Sequence, residues 1–292
     1  MKAVVVRKTP KLNVLVESSP QRLEQLEALD PRAYAAMTAA AESQRVSNAA
    51  VAAALDEVGI SARHLDRAEF EGPADDEDLV ITIGGDGTML DASHRVRDTP
   101  IVGFNSDPHR SVGYFCAANA DRCLQVLQNV VAGTVARKTL HRIGLVVDGV
   151  EHPYPCMNDL LVTNQNPAMM SRYVISAGLR TETHASSGMW ISTPAGSTAG
   201  IRSAGGTVMP LEGCLIQYLV REPYTTGDAR YPLLKGVREL GEGLLLRSLM
   251  DGGTIYVDGP YIQIPFQLGS ELKLNQGPRL TVFGLDAGRR ER

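Results

Sequence analysis

The stretch LVITIGGDGTML, residues 79–90, decides the fold of the first half of the chain. Leu79–Ile83 is a short β-branched run that predicts a buried strand, the glycines of 84–87 predict a tight turn, and Thr88–Arg97 has helical spacing. Pro100–Phe104 predicts a second buried strand. A strand, a turn, a helix and another strand in this order form a βαβ unit, which implies a parallel sheet with a right-handed crossover.

On the N-terminal side of this unit, residues 2–6 and 12–17 predict short strands. The segment from Gln21 to Ser61 is rich in Ala, Leu and Glu, with apolar residues at helical spacing, so we predict helices there. We expect a break at Asp30-Pro31, because proline does not fit a helix interior. A further helix is predicted over Ala120–Val131.

After Arg137 the pattern changes to short strand candidates separated by Gly, Pro, Asn and Asp turns, which favours an all-β, sandwich-like domain. These candidates are Arg142–Val147, Leu160–Thr163, Tyr173–Ile175, Trp190–Thr193, Leu215–Val220, Thr254–Val257 and Leu280–Phe283. The sequence therefore predicts an α/β domain with a parallel sheet at residues 1–136. A β-rich domain follows at 137–292, and its last strand is a candidate to return to the first domain.

Composition limits the classes of partner. The 292 residues are 43% hydrophobic and 21% charged, which is enough for a sizeable core. The net charge of −4 gives no basic excess for nucleic acid. The N-terminus is too charged for a signal peptide and no apolar run reaches about 18 residues, so we expect a cytoplasmic protein without a membrane partner. Four scattered cysteines predict reduced thiols rather than a metal site.

The strongest chemical signal is GGDGT, residues 84–88. Its glycines let backbone N–H groups approach an anion and the helix behind them points its positive end there, so Gly84, Gly85 and Thr88 are candidate phosphate-binding residues. Asp86 follows the carboxyl end of a strand, where open α/β sheets bind ligands, and is a candidate base for an alcohol nucleophile. The alternative is a plain turn in which Thr88 caps the helix. Neither a Walker loop nor a G-x-G-x-x-G fingerprint is present.

Two further motifs suit a dinucleotide. Ser192–Gly200 (STPAGSTAG) combines small residues, hydroxyls and backbone N–H groups, which allows close contact and several hydrogen bonds. Asn158-Asp159 sets an amide beside a carboxylate, a pair that can bind a ribose diol or an adenine edge. Each motif taken alone is also compatible with an ordinary polar turn.

The blocks GGDGTML, GFNSDP with VGYF behind it, ND, and STPAGSTAG with SAGG behind it occur in an order that resembles the NAD kinase family over roughly residues 79–260. GFNSDP and VREP (220–223) are more similar to the NADH-kinase and mitochondrial-type branch. The resemblance implies an active site between an α/β and a β-sandwich-like domain, and a homodimer or homotetramer. It also implies phosphoryl transfer from ATP, with Mg²⁺, to the adenosine 2′-hydroxyl of NAD or NADH, giving NADP(H).

The same resemblance assigns roles by position. Asp86 matches the proton acceptor that is proposed for the family, and no metal ligand is assigned. In the pair Asn158-Asp159, the aspartate replaces a glutamate that is usual in the family. The substrate-binding residues implied in this way are Gly87, Asn158, Asp159, Ser197, Thr198 and Ala199.

Three positions depart from the family pattern. Ser187 stands where many members carry an aspartate, Gly200 where they carry a tyrosine, and Pro260 at the simplest match to a C-terminal glutamine. We include Ser187 among the substrate-binding candidates. A neutral serine does not attract the positive charge of the oxidised nicotinamide ring. We therefore predict that NADH is accepted at least comparably to NAD.

Two other functions stay open at this point. One is a kinase of another small alcohol, such as a lipid or a sugar phosphate, because GGDGT also occurs in such kinases. The other is a non-catalytic nucleotide sensor. The Ser192–Gly200 loop favours a dinucleotide, and Asp86 favours catalysis. A cation that aids phosphoryl transfer is not assigned, since Arg172, Arg202 and Arg221 are candidates by charge alone.

Overall fold

The computed structural model describes residues 1–225 and 231–285 and divides the chain into two compact units. The first unit contains residues 1–138 and the chain from Leu280 onwards, and the second contains residues 139–279. The observed boundary lies two residues beyond the predicted one. Among the described residues, no helix is long and apolar enough to cross a membrane.

The first 140 residues contain both helices and strands. They are β1 (Lys2–Arg7), α1 (Lys11–Ser18), α2 (Pro20–Leu29), α3 (Pro31–Glu57), β2 (Ser61–Asp66), β3 (Leu79–Gly84), α4 (Asp86–Ser93), β4 (Ile101–Asn105), β5 (Cys116–Asn119), α5 (Cys123–Val131) and β6 (Arg137–Leu140). Short 3₁₀ turns cover Arg67–Glu69 and Ala120–Arg122.

Strands dominate the rest of the described chain. They are β7 (Ile143–Val147), β8 (Val150–Glu151), β9 (Asp159–Asn164), β10 (Ser171–Ala177), β11 (Arg180–Ser186), β12 (Met189–Ser192), β13 (Leu215–Val220), β14 (Lys235–Glu239), β15 (Leu244–Ser248), β16 (Gly253–Val257), β17 (Ile262–Pro265), β18 (Glu271–Gln276) and β19 (Leu280–Phe283). A 3₁₀ turn (Ala195–Thr198) and the short α6 (Gly200–Ser203) follow β12.

The predicted parallel sheet of the first unit is confirmed. Its order is β2-β1-β3-β4-β19-β6, with β5 also paired to β4. The neighbours β2/β1, β1/β3, β3/β4, β4/β5 and β4/β19 are parallel, so the carboxyl ends of these strands share one edge. β19 returns from the end of the chain to pair with β4 through Val282 and Ile101. The sheet's apolar residues pack against α3 and α5.

The strand predicted at residues 12–17 is wrong, because this segment forms α1. The alternating Val14 and Val16 suggested a strand, yet both are exposed. Both edges of β1 are already occupied by β2 and β3, so a further strand has no place beside it. The predicted break at Asp30-Pro31 is confirmed, since Pro31 begins α3 and the Asp30 carboxylate accepts from the Ala33 amide (3.0 Å).

The second unit is a sandwich of two antiparallel sheets, as predicted. Their orders are β11-β10-β15-β18-β7-β8 and β14-β13-β12-β9-β16-β17. Buried residues of both sheets form one apolar core between them, with Tyr173 and Leu246 from one sheet and Ile191 and Ile255 from the other. Alternate residues of β9, β12 and β16 therefore face outward, and these strands carry the polar groups described below.

Candidate active site

The glycine turn connects β3 to α4. Gly84 is the last residue of the strand, Gly85 is the N-cap, and the helix begins at Asp86, two residues before the predicted start. The Thr88 amide donates to the Gly85 carbonyl inside the first helical turn (3.0 Å). The alternative in which Thr88 caps the helix is therefore wrong, and Asp86 occupies the first helical position.

The predicted phosphate-binding residues do not all face a ligand. A Cβ atom on Gly84 would lie 2.2 Å from the hydroxyl oxygen of Thr88, which is buried against this glycine. Gly84 and Thr88 therefore shape the turn, and the Thr88 amide is already bonded within it. At a helix N-terminus the amides of the first positions bind anions, and here these are Asp86 and Gly87. The expected phosphate contact thus moves from Thr88 to these two amides.

The GFNSDP block wraps around the glycine turn. The Ser106 amide donates to the Gly84 carbonyl (3.0 Å), and the Asn105 side-chain amide donates to the Ser111 carbonyl (2.8 Å). A Cβ atom on Gly85 would lie 2.6 Å from the Ser111 hydroxyl oxygen. A larger residue at this position would therefore have to displace the Ser111 side chain.

Asp86 is half-buried and held in one orientation. The Phe115 amide, from the VGYF block, donates to its Oδ1 atom (2.9 Å). This contact leaves Oδ2 to accept a proton from a hydroxyl group that approaches the helix N-terminus. The role of the Phe115 amide was not predicted, because a backbone donor 29 residues away leaves no side-chain signal in the sequence.

In the second unit, the structure brings the Asn158-Asp159 pair and the Ser192–Gly200 loop together. β9 and β12 are neighbours, and Asp159 pairs with Ser192 across them. The Gly200 amide lies close enough to the Asp159 carboxyl to lower its pKa. Two motifs that are more than 30 residues apart in the sequence therefore form one polar cluster.

The loop lies directly on the main chain of Asn158. The Thr193 amide donates to the Asn158 carbonyl (2.9 Å), and a Cβ atom on Gly196 would lie 2.0 Å from that same carbonyl oxygen. The Asn158 side-chain Oδ1 is buried and has no hydrogen-bond partner among the described residues. Buried acceptors are rarely left without a donor, so this atom fits a ligand that carries a hydroxyl or amino group.

The three predicted contacts in the loop differ in exposure. Ser197 is fully buried, and its hydroxyl donates to the Pro194 carbonyl (2.8 Å) and accepts from the Met209 amide (2.9 Å). Its side chain therefore stabilises the loop, contrary to the prediction that it binds substrate. Thr198 and Ala199 are half-buried and stay candidates for substrate contact.

Asp258 holds the Asn158-Asp159 turn in place. Its carboxylate accepts from three consecutive amides, those of Met157 (2.7 Å), Asn158 (2.6 Å) and Asp159 (3.0 Å). The buried Cys156 thiol also donates to it (3.2 Å). Consecutive N–H groups of this kind form an anion-binding concavity, which a side chain of the protein occupies here. Sequence reasoning looked for a glutamine near this position and missed the aspartate.

The carboxyl of Asp159 has an unusual acidity. Burial is the main cause and the neighbouring Asp258 carboxylate the second, and together they raise the pKa of Asp159 to about 7, although the Gly200 amide opposes the shift. Near neutral pH this group therefore changes between a hydrogen-bond donor and an acceptor.

We expect Asp159→Asn to change the pH dependence of stability. The folded pKa of about 7 lies above the unfolded value of about 4, so the folded state loses stability as the pH rises from 4 to 7. Asparagine cannot ionise and does not have this pH dependence. The free energy of unfolding of the variant, relative to that of wild type, should therefore increase by about 2–3 kcal/mol from pH 5 to pH 8. Urea unfolding of the ligand-free protein at both pH values measures this. Asp251→Asn, at an exposed position, is the control. If Asp159→Asn and wild type differ in free energy of unfolding by the same amount at both pH values, the raised pKa of Asp159 is contradicted.

An aromatic-walled cavity of about 310 Å³ opens beside Asp159. It is lined by Asp159, Leu161, Trp190, Tyr256, Gly259 and Pro260. A Cβ atom on Gly200 would lie 3.2 Å from the Trp190 indole, so this ring covers the position where family members carry tyrosine. Aromatic walls of this kind suit a planar heteroaromatic ring. Sequence reasoning missed Trp190, although the single tryptophan of the chain stands two residues before STPAGSTAG.

Ser187 does not join this cluster. It lies before β12, whereas Ser192 ends that strand beside Asp159, so β12 separates the two positions by roughly 16 Å at the usual rise of about 3.3 Å per residue. The carbonyl of Ser187 accepts from the guanidinium of Arg221, which also lies over the Trp190 ring (5.7 Å). Ser187 therefore lies outside the cluster around Asp159, and its contact with another part of the dinucleotide stays a prediction.

A helix N-terminus with free amides and a carboxylate beside them is the arrangement expected in the class of kinases that phosphorylate an alcohol. Within this class, residues 14–135 match the family model described as the ATP-NAD kinase N-terminal domain. A probable NADH kinase of rice (Oryza sativa subsp. japonica) is 36% identical over 240 residues, which cover 74% of each chain. The NADH kinase of Arabidopsis thaliana is 34% identical over 75% of this chain and 76% of its own. The chain therefore belongs to the NAD kinase family, whose members are enzymes that phosphorylate NAD(H).

Solved structures agree on the fold. An NAD kinase from Archaeoglobus fulgidus in complex with ATP matches with a TM-score of 0.68 and 17% identity, over 100% of this chain and 99% of that one. Yeast NADH kinase complexed with NADH matches with a TM-score of 0.67 and 15% identity, over 99% and 85% of the two chains. The family membership decides against a lipid or sugar-phosphate kinase.

Proposed function

We propose that the enzyme transfers the terminal phosphoryl group of ATP to the adenosine 2′-hydroxyl of NAD or NADH, with Asp86 as the general base. The observation that carries this proposal is the Asp86 carboxylate, held by the Phe115 amide at the N-terminus of α4. Phosphoryl transfer requires positioned reactants and compensation of charge more than covalent chemistry. A fixed carboxylate beside an anion-binding helix end supplies both a proton acceptor and a place for the phosphate chain.

The acceptor dinucleotide is assigned to the polar cluster of the second unit. Asn158 Oδ1 offers a buried acceptor without a partner, and Asp159 offers a carboxyl that donates or accepts. Both suit the hydroxyls of a ribose or the edge of an adenine. The cavity walled by Trp190 and Tyr256 suits one of the two aromatic rings.

Mg²⁺ fits this proposal as a companion of ATP. It prefers phosphate and carboxylate oxygens and keeps several waters, so a dedicated cage of protein ligands is not required. Among the described residues, no group of three or more His, Cys, Asp or Glu side chains is placed to hold a metal. Asp86 is the carboxylate that would face the phosphate-bound ion, which would compensate charge on the phosphate oxygens.

The direct test is formation of NADP(H) from each acceptor with ATP. Binding is measured separately through Trp190, because the single tryptophan of the chain lines the cavity. Added NADH should quench its emission and receive energy from it, and Trp190→Phe should abolish this signal. An enzyme that binds NADH without any change in tryptophan emission would place the dinucleotide elsewhere.

We expect kcat/KM for NADH to be at least comparable to that for NAD. Ser187 places no carboxylate where many family members have one, and the similarity to the NADH kinases of rice and Arabidopsis points the same way. Ser187→Asp tests the serine itself. Because Arg221 lies next to it and would partly neutralise the new charge, we expect a shift of the ratio toward NAD of about two- to fivefold. Rejection of NADH by the wild type, or an unchanged ratio in the variant, would contradict the role of Ser187.

A further inference from the structure

A lysine follows β1 at the edge of the sheet that carries the glycine turn. β1 and β3 are parallel neighbours, and Arg7 pairs with Ile83 in their register. Lys8 is therefore level with Gly84, and its amide donates to the Ile83 carbonyl (2.9 Å). This hydrogen bond fixes the backbone of Lys8 beside the start of the turn.

The side chain of Lys8 leaves the sheet on the same face as α4. Its Cβ atom lies 3.1 Å from the place that a Cβ on Gly84 would take, and the Thr88 side chain of α4 borders that same place. The Thr82 hydroxyl, on this face of β3, contacts the Met89 sulfur of the helix (3.9 Å). The lysine stem therefore begins beside the first turn of α4, where the Asp86 and Gly87 amides point outward.

The charge of Lys8 has no partner among residues 1–225 and 231–285. In the part of the chain that the structure describes, its ammonium forms no ion pair, whereas the preceding Arg7 is bound to Asp66 (2.9 Å). Lys8 is only half-exposed. A cation beside the positive end of a helix is unfavourable unless an anion lies between them. The Lys8 ammonium and the N-terminus of α4 therefore both favour an anion between them.

We propose that Lys8 binds the terminal phosphate groups of the triphosphate donor and compensates the charge of the phosphoryl group during transfer. The proposal rests on the function proposed above and supplies the cation that the sequence did not identify. The phosphoryl group moves from the leaving diphosphate to the acceptor oxygen, the hydroxyl proton goes to Asp86, and Lys8 contributes charge without exchanging a proton. A flexible four-carbon stem lets the ammonium follow the phosphate as it moves.

The arginines that charge alone suggested are placed differently. Arg172, Arg202 and Arg221 all belong to the second unit. Arg221 lies over the Trp190 ring and bonds to the Ser187 carbonyl, and Arg172 and Arg202 are exposed. Lys8, in contrast, lies beside the glycine turn itself.

The experiment compares Lys8→Met with Lys8→Arg and with the matched control Lys11→Met, an exposed lysine at the start of α1. We expect kcat/KM for ATP to fall about 10³-fold in Lys8→Met, the lower end of the range for a cation on the transferred group. Lys8→Arg should recover activity to within tenfold of wild type, and Lys11→Met should stay within threefold.

Affinity measurements distinguish a phosphate contact of Lys8 from a purely structural role of this residue. Inorganic tripolyphosphate is the probe, and its affinity should fall at least tenfold in Lys8→Met. The affinities for adenosine and for NAD should stay within threefold, since neither depends on the terminal phosphates. If Lys8→Met does not fold, Lys8→Gln replaces it, because its side chain stays polar. The affinities of Lys8→Gln for tripolyphosphate and for NAD are then compared in the same way.

Two failures are distinguishable. If the Lys8 variants keep tripolyphosphate affinity and activity within threefold of wild type while Asp86→Asn is inactive, the role of Lys8 is overturned and the proposed function stands. If Asp86→Asn is fully active, or the wild type forms no NADP(H), the proposed function itself fails.

Discussion

Replacing Asp86 by asparagine should lower kcat by about 10²–10⁴-fold, the range expected for loss of a general base. Asparagine has nearly the same size, and its Oδ1 can still accept from the Phe115 amide that orients the side chain. The turn between β3 and α4 should therefore keep its geometry. Only the capacity to take the proton of the 2′-hydroxyl is lost.

The measurement separates chemistry from binding. Steady-state kinetics give kcat, and calorimetry gives the affinity for NAD, which should change by less than threefold. Asp98→Asn, an exposed aspartate just beyond α4, is the control and should keep full activity. An Asp86→Asn enzyme with kcat within threefold of wild type would remove Asp86 from the catalytic role.

Gly196→Ala should abolish dinucleotide binding and destabilise the second unit by about 3 kcal/mol or more. The new Cβ would lie 2.0 Å from the carbonyl oxygen of Asn158 and 2.3 Å from its carbonyl carbon. These are backbone atoms, so no side-chain rotation relieves the contact. The same carbonyl accepts from the Thr193 amide, and moving it displaces the whole Asn158-Asp159 turn.

Stability is measured by urea unfolding and binding through the tryptophan emission. The matched control is Gly252→Ala, whose Cβ would meet only the Asn164 side chain, at 3.6 Å, which is an ordinary contact. We expect this control to change stability by less than about 1 kcal/mol. A Gly196→Ala protein that binds NADH normally would show that the loop does not lie on the Asn158 main chain.

The local elements of the fold were readable from the sequence because their signals are local. The β-branched run before GGDGT predicts β3, and the proline at residue 31 sets the start of α3, since its ring has no place inside a helix. Residues 12–17 were misread as a strand because a period of two indicates a strand only when a neighbouring strand is available. That condition depends on which strands flank β1, which is a property of the whole sheet.

The sequence by itself indicated the family of the enzyme and the residues that mark its site, because the order of its motifs resembles that of the NAD kinase family. Only the tertiary structure decided which of these residues face a ligand. The Ser197 hydroxyl turns inward and bonds to backbone groups, and the Thr88 side chain is buried against Gly84, whereas Asn158 keeps a buried acceptor without a partner among the described residues. Asp258 and Lys8 gain their importance from neighbours distant in the chain, and such long-range contacts leave no periodic or local pattern in a sequence.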